Sequence, residues 1–148
     1  MRSKILFLGL IFLTLIVCKK GIENPYSRPT PTPEPQPQAN VVFAAVIVSC
    51  GWDVYDICWL DIYGAIKNEG NADAEAIKIH AKLVNSEGTT LRSFSYVFVH
   101  PDYEYSYLKA GEQKKFRHAW GGISREHYYA FDETNSKNAA YITWENVD

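Results

Sequence analysis

The chain has 148 residues, of which 47% are hydrophobic and 14% aromatic, and its formal net charge is −2. This length allows one domain of ordinary size, and the apolar content excludes wholesale disorder. Residues 40–148 contain 10 Lys and Arg against 15 Asp and Glu. Because phosphate binding needs a clustered positive surface, we expect no nucleic-acid partner.

The first 20 residues have the pattern of an export signal. Arg2 and Lys4 precede an uncharged run from Ile5 to Val17. Thirteen helical residues rise only about 20 Å, short of the ~30 Å hydrocarbon core, so a secretory signal fits better than a spanning helix. Cys18 directly follows the letters LIV, which resembles the lipobox of exported lipoproteins and makes Cys18 the expected lipidation site. The alternative is an uncleaved signal anchor. Either way, we expect a membrane-anchored, extracytoplasmic protein of the cell envelope.

Residues 21–39 form a proline-rich linker. They include PYSRPTPTPEPQPQ, with six of the seven prolines, and proline at every second position can neither pair in a sheet nor continue a helix. At ~3.1 Å per residue, such a segment spans on the order of 50 Å. A docking peptide for proline-binding modules is the alternative, but the alternating Thr, Glu and Gln favour a plain spacer.

The folded part is predicted to begin at residue 40 with a buried strand and a disulfide. Val41 to Val48 is an apolar run typical of a strand buried on both faces. Cys50 and Cys58 flank the loop that follows, and outside the cytoplasm two cysteines so placed predict a disulfide. A metal-binding or reactive pair is the weaker alternative, since there is no CxxC spacing and no histidine nearby.

Two alternating strands surround a polar turn at residues 68–73. The first strand begins at Trp59 and the second strand ends at Leu83. In both strands, apolar residues alternate with polar ones, as in a sheet with one buried face. Gly88, in the turn after the second strand, can take a positive φ. The side chains predicted to be buried are Leu60, Ile62, Ile66, Ile77, Ile79 and Leu83.

Three short segments in this region share a further pattern: residues 64–70 (GAIKNEG), residues 83–88 (LVNSEG), and residues 108–112 (LKAGE) with Phe116 after them. They resemble the glycine-x-aliphatic-x-asparagine segment, the strand-ending turn and the leucine-x-proline-glycine-glutamate corner of FxLYD-type domains. These are immunoglobulin-like extracytoplasmic domains of prokaryotic surface lipoproteins. The chain departs from the family at Ala81, Val84, Asn85 and Ala110. The resemblance implies an immunoglobulin-like sandwich and no particular activity.

The rest of the chain predicts further strands. Leu91 to Val99 and Lys114 to Trp120 are strands, the second ended by Gly121-Gly122. Ser124 to Phe131 is one or two helical turns with Ser124 as N-cap; Asp132 to Asn138 is a polar loop; Ala140 to Glu145 is a closing strand. Seven strand-like segments with short turns predict an all-β fold, an antiparallel immunoglobulin-like sandwich over residues 40–148.

Motifs of catalysis and metal binding are absent from the sequence. The four histidines lie in separate elements without metal-site spacing, and there is no GxSxG turn, SxxK pair or glycine-rich phosphate loop. We therefore expect no catalytic residue, no metal and no cofactor. A small hydrolase using Asp102 with Glu104, or Glu126 with Asp132, is a remote alternative.

The aromatic residues late in the chain are the best sign of a binding surface. Trp120 and Trp144 are expected in the core, whereas Tyr103, Tyr105 and Tyr107 are expected to be more exposed and to form a ligand surface. The leading hypothesis is a membrane-tethered, non-catalytic binding or scaffold module whose partner is an envelope protein or a glycan. A carbohydrate-binding module using the three tyrosines is the alternative.

Overall fold

The structure is a computed structural model that describes residues 34–53, 55 and 57–147. The predicted signal segment, Cys18 and most of the proline-rich linker lie outside these residues. The elements follow in the order β1 Val41–Trp52, β2 Cys58–Asn68, β3 Ala74–Val84, β4 Thr90–Val97, β5 Tyr107–Leu108, β6 Gln113–Ile123, α1 Arg125–Ala130, α2 Glu133–Asn138 and β7 Tyr141–Asn146.

The strands form two antiparallel sheets. In the first sheet, β2 lies between β1 and β6. In the second sheet, β3 is central, with β7 along one edge and with β4 and β5 along the other. The predicted antiparallel β-sandwich of about seven strands is therefore confirmed.

Alternation along the two central strands builds the core between the sheets. The six side chains predicted to be buried, from β2 and β3, are all fully buried: Leu60, Ile62, Ile66, Ile77, Ile79 and Leu83. Burying one such side chain stabilises the fold by about 1.5–3 kcal/mol. The core thus comes chiefly from the two strands that have neighbours on both sides.

Both open sides of the sandwich are closed by other groups. Between β4 and β6, four rings form what we call the aromatic ladder. Tyr96 stacks on His118 with centroids 4.3 Å apart, and Phe94 stacks on Trp120 at 5.1 Å. Near the other side, α2 packs on β1 and β3, and its buried Ser136 accepts the Val84 N–H through Oγ at 2.9 Å. Trp120 and Trp144 pack against the core, as expected.

The first strand is not buried on both faces, and this prediction was wrong. β1 pairs with β2 alone and is an edge strand. Ile47 is 40% exposed, because nothing among the described residues covers the outer face of the first sheet there. The apolar run Val41 to Val48 therefore belongs to an edge strand with an uncovered apolar face, not to a central strand.

Two boundaries near the C-terminus also differ from expectation. The segment after Asp132 is helix α2 rather than a polar loop, because the Asp132 carboxylate accepts the Asn135 N–H at 2.8 Å as its N-cap. β6 continues through Gly121 to Ile123, since β2 offers partners along its whole length. The predicted helical turn after Ser124 is confirmed as α1, with the Ser124 hydroxyl accepting the His127 N–H.

Asn68 is the buried polar centre of the end at which the chain enters the domain. Its Oδ1 accepts the N–H groups of Asn40 and Gly70, and its Nδ2 donates to the carbonyls of Ala72 and Leu108. Every hydrogen-bonding position of the amide is thus used.

The folded unit begins slightly before the predicted boundary at residue 40. Pro35–Asp148 forms one compact unit. The Gln38 N–H donates to Asn71 Oδ1 at 2.8 Å, and the Ala39 N–H donates to Asn146 Oδ1 at 2.8 Å. The last linker residues therefore pair with the turn after β2 and the end of β7.

Candidate functional site

The three tyrosines predicted as a ligand surface lie in the corner between β4 and β6, but they do not form one exposed row. Tyr105 is 69% exposed. Tyr103 and Tyr107 are half-buried and pack edge to face, with centroids 5.3 Å apart. Tyr107 also donates its hydroxyl proton to Asp73. The structure therefore brings Tyr103 and Tyr107 together inside the corner and presents Tyr105 alone.

Beneath these rings lies a buried histidine. His100 Nδ1 accepts the Asp102 N–H at 3.0 Å, so its protonated Nε2 donates to Glu112 Oε1 at 3.0 Å. Burial alone would raise the pKa of Glu112, but hydrogen bonds from Lys109 N–H and His100, together with nearby cations, outweigh it and lower this pKa. The corner is a polar network in which both ring nitrogens of His100 and both carboxylate oxygens of Glu112 are hydrogen-bonded.

The predicted disulfide is not formed, and Cys50 and Cys58 are free thiols. In the hairpin, Cys50 pairs with Leu60 and Cys58 pairs with Trp52, so the two cysteines are diagonal neighbours. Diagonal Cβ atoms in such a ladder are up to ~7–8 Å apart, against ~3.5–4.5 Å in a disulfide. Burial, helped by Cys58, raises the pKa of the Cys50 thiol to about 11, which makes it a poor nucleophile at neutral pH.

The first of two exposed aromatic surfaces, which we call the aromatic tip, is Trp52, Arg125, Tyr128 and Tyr129. The Trp52 ring lies 5.7 Å from Tyr128 and 6.2 Å from Tyr129, and the Arg125 guanidinium lies 5.0 Å from the Trp52 ring. Tyr129 is 72% exposed and Trp52 37%. Trp, Tyr and Arg are the residues most enriched at binding hot spots.

Asp53, just after Trp52 of the tip, makes local hydrogen bonds to the two described residues of the hairpin loop. The Asp53 carboxylate accepts the N–H groups of Tyr55 at 2.8 Å and Ile57 at 2.9 Å, a pattern by which Asp stabilises turns. Tyr55 and Ile57 are both exposed. The loop therefore adds two more apolar side chains to the end of the sandwich where the tip lies.

The tip lies at the end of the domain opposite the chain entry. β1 runs from Val41, next to the entry, to Trp52, with one register shift between Phe43 and Ala45, and twelve strand residues span roughly 36 Å. α1 begins just after Ile123, which pairs with Cys58 at the same far end. The aromatic tip and the first residues of β1 therefore lie at opposite ends of the first sheet.

The second exposed surface is on the outside of the first sheet. Because Ile62 faces the core, alternation directs Trp59, Asp61 and Tyr63 outward, and the register directs Lys115 and Arg117 the same way. We call these five residues the β2 face. A shallow apolar groove of about 620 Å³ lies here, with Ala45 and Ala65 among its small lining residues.

One ion pair fixes the geometry of the β2 face. Asp61 is only 4% exposed, and it accepts Arg117 Nη2 at 2.6 Å and Nε at 3.1 Å. The guanidinium lies 5.8 Å from the Tyr63 ring. This bidentate pairing holds the guanidinium in one orientation beside the ring.

The outer face of the second sheet is polar by comparison. His80 stacks on Tyr141 with centroids 4.3 Å apart and pairs with the Thr143 hydroxyl at 3.0 Å. Burial and the charges of Lys78 and Lys82 lower the pKa of His80. The groove on this face, lined by His80, Ser93 and Tyr141 among others, is therefore more polar than the groove of the first sheet.

Neither a metal centre nor a membrane-spanning helix is found in the part of the chain that the structure describes. No three His, Cys, Asp or Glu side chains of that part cluster as metal ligands. None of its helices is both long and apolar enough to cross a bilayer.

Comparison with known proteins yields no match. No family model, curated protein or solved structure matches the chain. The function must therefore be argued from the surfaces themselves.

Sequence reasoning missed both aromatic surfaces. Tyr63 falls on the outward side of the alternating pattern, next to the small residues Gly64 and Ala65, which is a readable sign of an exposed apolar strip. The aromatic tip had no such sign, since Trp52 and Tyr129 are 77 positions apart and meet only because α1 folds back onto the hairpin.

Proposed function

We propose that the protein is a membrane-tethered, extracytoplasmic, non-catalytic binding module that contacts an envelope protein through its aromatic tip. The observation that carries this proposal is the position of the tip, at the end opposite the chain entry. An aromatic cluster with an adjacent arginine is suited to a protein partner. A domain raised on a proline-rich spacer would present this end first.

The tether is supported by the sequence pattern of the N-terminal segment and by the linker. The basic start, the uncharged run and Cys18 support export and lipid attachment. The resemblance to FxLYD-type domains supports the same location. The fully bonded Asn68 gives a physical reason for the asparagine in the segment that carries this resemblance.

A non-catalytic role is supported by how the candidate catalytic groups are bound. Both ring nitrogens of His100 are occupied. The hydrogen bond and charge of Lys114 lower the pKa of Asp102, whereas a glycosidase acid needs a raised pKa. Asp132 is used as the N-cap of α2. These arrangements favour binding over hydrolysis.

The proposal is tested by photo-cross-linking in cells that produce the full-length protein. Tyr129→p-benzoylphenylalanine places a photo-reactive group at the tip, and Tyr141→p-benzoylphenylalanine places the same group on the second sheet, where Tyr141 is 45% exposed. We expect one discrete cross-linked protein from position 129 and none from position 141. Adding Trp52→Ala should remove that product. Equal cross-linking from both positions, or none from position 129, would refute the proposal.

A further inference from the structure

The β2 face offers two kinds of contact side by side, an aromatic ring and cationic side chains. Tyr63 is 36% exposed and presents an aromatic ring, and Lys115 and Arg117 lie beside it on the neighbouring strand, opposite Ala65 and Tyr63 in register. Flat apolar rings stack on the C–H faces of sugars, and exposed cations attract carboxylates. From this combination, we propose that the β2 face binds an anionic glycan chain.

The shape of the face fits a narrow, extended ligand. Three strands are about 10 Å across, and Trp59 and Tyr63, four residues apart on β2, are separated by ~13 Å. The strip between the rings is therefore far smaller than the ~800 Å² that each partner buries in a standard protein interface. A single polymer chain lying along β2 matches this footprint better than a globular partner does.

Small residues keep the rings accessible. The Trp59 indole lies directly over Gly51, where an added Cβ would overlap the ring. Ala45 and Ala65 line the groove beside Tyr63. Larger side chains at these positions would displace the indole or fill the groove beside Tyr63, whereas Asp61, held by Arg117, lies between the two rings.

The charged side chains of the β2 face determine which kind of glycan we expect it to bind. Arg117 uses Nε and Nη2 to hold Asp61, which leaves the Nη1 hydrogens for a ligand, and its side chain is 75% exposed. Lys115 is exposed on the same strand. These cations stand out on a domain with more acidic than basic residues. Because Asp61 already pairs with Arg117, the net positive charge of the face comes from Lys115. A carboxylate-bearing sugar chain pairs with Lys115 and accepts hydrogen bonds from Arg117, whereas a neutral glycan leaves this charge unused.

Three polymers separate the contributions of rings and charge. The full-length protein, purified in detergent, is tested against immobilised polygalacturonate, neutral dextran and poly-glutamate, which has the charge without the sugar rings. We expect retention on polygalacturonate alone, weakened as salt is raised. Equal retention on poly-glutamate, or retention on no polysaccharide, would overturn the proposal.

Variants assign the binding to this face. Tyr63→Ala should weaken binding to polygalacturonate about tenfold, and Lys115→Gln about two- to fivefold. Tyr141→Ala and Lys82→Gln, on the second sheet, are the matched controls and should change nothing. Equal losses in the variants and controls would contradict the assignment. Since the aromatic tip is unchanged in all four variants, cross-linking at position 129 should persist, which separates this result from the fate of the proposed function.

Discussion

At the scale of single residues, the polar side chain of Asn68 contributes strongly to the stability of the fold. Its side chain forms hydrogen bonds with four backbone groups from three segments, and it is fully buried. We expect Asn68→Ala to lower the free energy of unfolding by about 2–4 kcal/mol, because it leaves buried backbone groups unpaired. Urea denaturation of the full-length protein measures this loss.

Asn71→Ala is the control for that measurement. The Asn71 side chain is exposed and accepts a single N–H, from Gln38. Its removal should cost less than about 1 kcal/mol. Similar losses in the two variants would show that Asn68 has no special role.

The two cysteines give a second prediction at this scale. With the pKa of Cys50 raised from 9.0 to about 11, its thiolate fraction at pH 8 is about a hundredfold below the ordinary one. Cys58 is 1% exposed. We expect iodoacetamide to alkylate Cys50 and Cys58 at least about a hundredfold more slowly in the native protein than in urea. Failure of urea-unfolded protein to react would instead indicate a disulfide.

At the scale of elements, the corner between β4 and β6 is held by carboxylates. The Tyr107 hydroxyl and the Ala110 N–H lower the pKa of Asp73 from 3.8, and the pKa of Glu112 is lowered from 4.5. A carboxyl with a lowered native pKa stabilises the fold above its unfolded pKa. That contribution is lost as the pH falls through the native value.

We therefore expect the urea midpoint to be flat above about pH 5 and to fall progressively below pH 4.5. Asp73→Asn and Glu112→Gln should each reduce this acid dependence, as well as the stability at pH 7. Glu87→Gln, in an exposed turn, should change neither. An unchanged acid profile in the two corner variants would show that other groups control it.

At the scale of the whole molecule, the chain enters the described domain at one end and the aromatic tip lies at the other. If Cys18 carries the lipid, metabolic labelling with a fatty acid should mark the wild type and should be lost in Cys18→Ser. Cys50→Ser should keep the label, since Cys50 lies within the sandwich. A wild type without label would favour the uncleaved anchor.

Location is tested in the same cells. Protease added outside the cytoplasmic membrane should digest the domain without lysis of the cell. Protection until lysis would place the domain in the cytoplasm and would refute the tethered-module proposal.

Much of the fold follows from the sequence by itself, because alternation is a local property. The six buried residues of β2 and β3, the turns around residues 68–73 and Gly88, and the strand near the C-terminus were all predicted correctly. Gly88 takes the positive φ expected of it, at 81°. A period of two residues needs no knowledge of distant neighbours.

Other features were decided only when the strands came together. Strand pairing determines which strand lies at the edge of a sheet. β1 is therefore half-exposed, although its sequence resembles that of a central strand. Whether Cys50 faces Cys58 depends on a register that is offset by two residues. Trp52 and Tyr129 are distant in the chain and become one surface only through the packing of α1. Edges, register and long-range contacts are properties of the assembled sheets. They cannot be predicted from a local sequence pattern.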